Sequence, residues 1–264
     1  MNTLIQTAGL RLNVFDEGPR DAPALVLSHS LAANLAMWAP QAQALTRDFR
    51  VIRYDTRGHG ASEVTSGAYR FAELTGDVID LLDALAIDRA HFAGLSLGGM
   101  TALGLALDYP TRIASICVAN CGAQAPEGAS AMWDERVATA RSQGMAALVE
   151  PTIARWFTTA MLATRPAELE PVRHMIAHTP VAGYAGCCAA LKTLAYRERL
   201  GDLHLPSLFI AGTHDPAVPL AVMLDMHQRV PGSAYVELPA AHLSNIECAV
   251  AFNAALVEFL RAQS

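Results

Sequence analysis

An α/β fold, with a mostly parallel sheet flanked by helices, is what the patterning of this chain predicts. Short apolar runs alternate with segments of helical periodicity in its first half and again near its end. Several of those runs are apolar throughout, as strands of a parallel sheet buried on both faces are. The most informative stretch is Ala90–Leu107, AHFAGLSLGGMTALGLAL, which carries no formal charge and is broken by Gly94-Leu95-Ser96-Leu97-Gly98-Gly99. It reads as a strand, a glycine-rich turn and a helix.

Taken in order, Thr3–Thr7 and Leu10–Phe15 read as two strands joined by a tight turn at Ala8-Gly9. Ala24–His29 (ALVLSH) is a buried strand, followed by an amphipathic helix over Met37–Thr46. Arg50–Asp55 is the next strand and ends in the turn Thr56-Arg57-Gly58-His59-Gly60. Phe71–Leu85 has helical periodicity, and its Asp77, Asp80 and Asp83 read as a solvated face. Ala90–Leu95 and Ile113–Asn120 complete the first run of strands.

From Gly122 to Leu203 the alternation stops, and helix follows helix between Pro126, Gly144, Pro151, Pro166, Pro171, Pro180 and Gly186. That pattern predicts a helical cap over residues 123–203, inserted after the sixth strand into a core formed by residues 1–122 and 204–264. The alternation resumes with a strand at Ser207–Ala211, a helix at Pro219–Arg229, a strand at Ala234–Leu238 and a closing helix at Asn245–Leu260. Ser244-Asn245-Ile246-Glu247 reads as a capping box for that last helix.

Composition narrows the class. A chain of 264 residues with 52% hydrophobic content, drawn largely from alanine and leucine, can bury one large core. A net charge of −6 gives no electrostatic reason for a nucleic-acid or anionic-membrane partner. The glycines, serine and histidine in Ala90–Leu107 argue against a membrane span. Five cysteines, with Cys187 and Cys188 adjacent, form neither a disulfide framework nor a metal-ligand spacing. With no visible secretory signal, a reduced, cytoplasmic compartment is the expectation.

A strand that becomes a helix across G-x-S-x-G presents its serine on a strained turn, with the helix amide end aimed at it. A serine hydroxyl needs a base within reach, and the base needs an orienting acid. Asp215 follows the strand at Ser207–Ala211 and His242 follows the strand at Ala234–Leu238, so the order is serine, acid, histidine. The strand before offers Asn120-Cys121 and no carboxylate. Ser96, Asp215 and His242 are therefore the expected catalytic residues. The backbone amides of Leu97 and Leu31 are the expected oxyanion donors. Trp38 is a candidate either for a wall of the pocket or for core packing, and His29 a candidate support at the end of its strand.

With these motifs assembled, the chain resembles the α/β-hydrolases, and more narrowly the 3-oxoadipate enol-lactonases of the β-ketoadipate pathway. The generic part is the elbow and its partners. The match also includes Leu27-Ser28-His29-Ser30-Leu31 with Met37-Trp38 and the segment Arg53–Gly60, and the narrower part is Arg155-Trp156-Phe157, Gly183–Cys188 and Ala241–Glu247. Ser30 departs from the commoner His-Gly pattern. The resemblance implies a small lactone bearing a carboxylate as substrate, with no metal or organic cofactor. A free carboxylate in an apolar pocket requires a cation. Arg136, Arg155, Arg173, Lys192 and Arg197 are candidates, and Arg136 is favoured because it lies three residues after Trp133 on a predicted helix. A general carboxylesterase or perhydrolase with the same three residues is the nearest alternative. A non-catalytic ligand-binding protein of the same fold is the alternative from another class.

Overall fold

The computed structural model describes residues 3–263. Its centre is an eight-stranded sheet in the order β1-β2-β4-β3-β5-β6-β7-β8. β1 (Thr3–Gln6) and β2 (Arg11–Glu17) are antiparallel to each other, and β2 is antiparallel to β4. β3 (Ala24–Ser28), β4 (Arg50–Tyr54), β5 (Ala90–Leu95), β6 (Ile113–Ala119), β7 (Ser207–Gly212) and β8 (Ala234–Leu238) pair in parallel. β3, β5 and β7 are buried at every residue, which is why their sequences read as unbroken apolar runs.

Helices cover both faces, as parallel connections require. α1 (Ala39–Leu45), α2 (Phe71–Ala84) and α3 (Leu97–Asp108) link the first strands. Between β6 and β7 run α4 (Ala129–Gln143), α5 (Val149–Trp156), α6 (Thr159–Thr164), α7 (Glu170–Ala177) and α8 (Val181–Lys192). A bridge between Gln124 and Ala195 ties the two ends of this insertion together. α9 (Leu220–Arg229), α10 (Ser244–Glu247) and α11 (Ala249–Arg261) complete the chain. Among the described residues no helix is long and apolar enough to cross a membrane.

Three local expectations need correction. The closing helix is two helices, α10 and α11, broken at Cys248. Ser244 and Glu247 form no capping box, because both side chains are used elsewhere: Ser244 on Asn120, Glu247 on Ala241 and Thr158. Asp77 is not on a solvated face. It is buried and accepts from Arg57 Nε and Nη2 at 2.6 Å each, whereas Asp83 is exposed and pairs with Arg112. Periodicity placed Asp77 correctly on α2 but could not reveal that Arg57 would reach across from the turn after β4.

Candidate active site

The C-terminal ends of the parallel strands converge on one locus. Ser96 follows β5 with φ 56° and ψ −114°, a strained conformation for a residue with a side chain. Space enforces the glycines beside it. A Cβ on Gly94 would stand 2.0 Å from the Gly98 carbonyl oxygen, and one on Gly98 would stand 2.1 Å from that of Ser28. Of the four described non-glycine residues with positive φ, three (Ala32, Ser96 and Asn120) follow β3, β5 and β6 at this end of the sheet. Strain is thus concentrated where the strands stop.

Asp215 and His242 meet. His242 Nδ1 lies 2.8 Å from Asp215 Oδ2, and both side chains are almost fully buried. Burial alone would push the Asp215 carboxyl up, but the His242 ring, the Asn120 amide and the backbone N–H of Ala217 outweigh it and hold the pKa below its ordinary value. The Ala217 and Val218 amides occupy the other oxygen at 2.8 and 3.1 Å. Ser96 stands at the end of β5, with β6 between it and β7, its amide bonded to Ala119 O at 2.9 Å. Its hydroxyl makes no hydrogen bond to another described residue, and a serine–base bond that tightens only around substrate is common in ligand-free sites.

Asn120 belongs to this cluster although sequence reasoning assigned it nothing. Its amide nitrogen donates to Asp215 Oδ2 at 3.0 Å and to Ala241 O at 3.3 Å, and its carbonyl accepts the Ser244 hydroxyl at 2.6 Å. Asn120 therefore donates to the same carboxylate oxygen that His242 contacts. The available signal was its position, at the strand end where a carboxylate was sought and not found. Asparagine also tolerates φ of 47° better than most residues.

The loop after β3 carries Leu31. Neither its amide nor that of Leu97, the first residue of α3, has an acceptor among the described residues, which leaves both able to receive an oxyanion. Two buried imidazoles brace this loop. His29 donates from Nδ1 to Ser30 O at 2.8 Å and accepts the Thr56 N–H at 2.9 Å. His59 accepts the Ala32 N–H on Nε2 at 3.1 Å. Burial pulls their pKa values down to about 4 and about 3, so both are neutral acceptors. Ser30 does not have a positive φ, so its departure from glycine creates no backbone conflict.

The remaining predicted residues divide. Trp38 is fully buried with its ring 5.9 Å from Phe252, so of the two readings open for it the core one holds. An aromatic after a catalytic loop cannot be told from a core aromatic by sequence. Arg136 and Trp133 do share a face of α4, with the guanidinium 4.9 Å from the ring centre. Of the five candidate cations, Arg173 pairs with Glu150 and Glu170, Lys192 with Asp134, and Arg197 with Asp225. Among the described residues no carboxylate pairs with Arg136 or Arg155. Burial draws the Arg136 pKa down against the opposing influence of Tyr184, Cys188 and Glu135. No described group of three or more His, Cys, Asp or Glu is placed to hold a metal ion.

This sheet, with a strained serine at its central elbow after β5 and an acid–imidazole pair after β7 and β8, defines a hydrolase class. The model of the alpha/beta hydrolase fold family matches residues 23–248, and the chain belongs to that family. It is similar to 3-oxoadipate enol-lactonase 2 of Acinetobacter baylyi, 39% identical over 245 residues that cover 93% of this chain and 91% of that one. Among solved structures it resembles the enol-lactonase from Burkholderia xenovorans, 42% identical with a TM-score of 0.95, over 98% of this chain and 100% of that one. A Variovorax paradoxus protein named as a carbamate hydrolase, RutD, is 33% identical over 248 residues, 92% of this chain and 93% of its own.

Proposed function

We propose that this hydrolase opens the lactone ring of 3-oxoadipate enol-lactone through an acyl-enzyme on Ser96. His242 takes the Ser96 proton as Oγ attacks the lactone carbonyl, and the amides of Leu31 and Leu97 receive the oxyanion. The ring C–O bond breaks, and His242 returns the proton to the departing enol oxygen. Tautomerisation to the ketone then removes the nucleophile that would close the ring again. Water deprotonated by His242 cleaves the acyl-enzyme and releases 3-oxoadipate. Asp215 fixes the imidazole tautomer and steadies its cation throughout.

The observation that carries the substrate assignment is Arg136. This half-buried guanidinium lies over the Trp133 ring and beside Tyr184 but pairs with no carboxylate among the described residues, which leaves it free to meet an anion. An acidic lactone supplies that anion, and a neutral ester does not. The RutD relative supports carbamate hydrolysis as a second reading, since the same attack and oxyanion geometry serve a carbamate carbonyl. Turnover of freshly generated 3-oxoadipate enol-lactone, its muconolactone isomer, simple esters and carbamates separates the readings. The lactone should have the highest kcat/KM, and a higher value for a carbamate would overturn the assignment.

A further inference from the structure

We propose that Glu247 is a positioning residue that holds His242 through the peptide units beside it and ties the placement of the base to the helical insertion. The inference rests on His242 being the catalytic base. Ala241 and Leu243 flank that residue, and neither of their N–H groups is spent locally. The Ala241 N–H donates to Glu247 Oε2 at 2.9 Å, and the Leu243 N–H donates to the carbonyl of Trp156 at 3.1 Å. Trp156 is the last residue of α5, inside the insertion, and its indole stacks on the His242 ring with centroids 6.4 Å apart.

The same carboxylate also reaches the insertion. Thr158 donates its amide to both Glu247 oxygens at 3.2 and 3.4 Å and its hydroxyl to Oε1. Arg165 donates to the Glu247 backbone carbonyl at 3.2 Å, so its charge is directed at the peptide and not at the side chain. Glu247 is only 8% exposed and pairs with no Lys or Arg side chain through its carboxylate among the described residues. A buried carboxylate held by neutral donors forms strong charge-assisted bonds, and here they join the base loop to the start of α6. The insertion is therefore anchored at this corner. Any motion that admits substrate must take place elsewhere or displace the base.

The consequence is kinetic. Small displacements of a general base reduce the rate steeply without changing how substrate binds. Arg136 and Trp133 lie on α4, away from the Thr158 contact in the chain, so a neutral ester such as p-nitrophenyl acetate isolates the effect. Glu247→Gln replaces one accepting oxygen by an NH2 group that cannot accept. Thr158→Val removes only the hydroxyl donor and that hydroxyl's capping bond to Met161. The test measures kcat, KM and melting temperature for both variants alongside Ser96→Ala and His242→Ala.

Glu247→Gln should lower kcat about tenfold or more with KM within about twofold, in protein that is folded at the assay temperature. Thr158→Val should lower the same parameter less. If Glu247→Gln does not fold, the kcat of Thr158→Val decides. If the Ser96 and His242 variants are inactive while folded Glu247→Gln and Thr158→Val keep kcat within about twofold of the parent, the positioning role is overturned and the triad stands. If His242→Ala keeps the parental kcat, the base assignment fails and this proposal fails with it.

Discussion

Gly183 and Gly58 meet backbone to backbone: a Cβ on Gly183 would stand 1.9 Å from the Gly58 carbonyl oxygen, and one on Gly58 would stand 2.4 Å from the Gly183 Cα. Neither obstacle is a side chain that could turn aside. This is where α8 of the insertion rests on the turn after β4, and Gly186 one turn on is covered by the Tyr69 ring in the same way. Gly183→Ala should therefore lift α8, at a cost of about 1–3 kcal/mol. Because Tyr184 and Cys188 on that helix stand beside Arg136, KM for the acidic lactone should rise more than KM for a neutral ester. Gly201→Ala adds a methyl with no atom within 4 Å and is the comparison. Thermal melts in which the two variants match would show that the close approach does not constrain α8.

Ser96→Ala removes the hydroxyl and leaves the elbow backbone in place. Loss of kcat by about 10⁶-fold on a good substrate is expected, as when a triad nucleophile is deleted. An organophosphonate should label the parent at Ser96 and leave the variant untouched. A loss below about tenfold would assign the nucleophile to another residue.

Arg136→Ala tests the anion site directly. KM for the acidic lactone should rise by about tenfold or more, while p-nitrophenyl acetate is hydrolysed with nearly parental constants, because the lost interaction is with the distal carboxylate. Equal losses on both substrates would remove Arg136 from that role and leave Arg155 as the other candidate without a described carboxylate partner.

The sheet and the elbow at Ser96 were legible because both are local. Apolar runs mark strands buried on two faces, and Gly94 and Gly98 mark a turn with no room for a Cβ. What stayed hidden depends on partners distant in sequence. Asp77 looked solvated because Arg57, twenty residues earlier, was not known to reach it. Ser244 and Glu247 match a capping box in sequence, yet each is claimed by a residue far along the chain, Asn120 in one case and Thr158 in the other. Trp38 could have lined a pocket on spacing alone, and only its packing against Phe252 places it in the core.

Asn120→Asp is nearly isosteric and replaces the amide donor that serves Asp215 and, at longer range, the Ala241 carbonyl. The Nδ2 donor 3.0 Å from Asp215 Oδ2 becomes an acceptor facing an acceptor, and the bond that helps keep Asp215 ionised is lost. Two carboxylates at that distance favour sharing a proton, which weakens the hold on the His242 tautomer. A fall in kcat of about tenfold or more with KM little changed is expected, with the melting temperature near that of the parent. Parental kcat would show that Asn120 serves only the Ser244 and Ala241 contacts.

His29 and His59, both buried, make stability depend on pH, and the sign follows from their depressed pKa values. In the unfolded chain each titrates near the ordinary histidine value of about 6.5, but in the fold burial holds His29 at about 4 and His59 at about 3. Below about pH 6.5 the unfolded state therefore binds protons that the folded state refuses. The stability these groups contribute is complete above 6.5 and is lost as pH falls towards 4, by up to about 1.4 kcal/mol per pH unit for each histidine. Asp55 opposes this in part, because burial raises its carboxyl pKa and the fold takes up that proton more readily than the unfolded chain does. Melting temperature should thus decline steadily from about pH 7 to about pH 4.5. His59→Gln keeps an acceptor for the Ala32 N–H but cannot titrate, so its decline should be shallower even if it melts lower at neutral pH. An unchanged slope in that variant would assign the acid sensitivity to other groups.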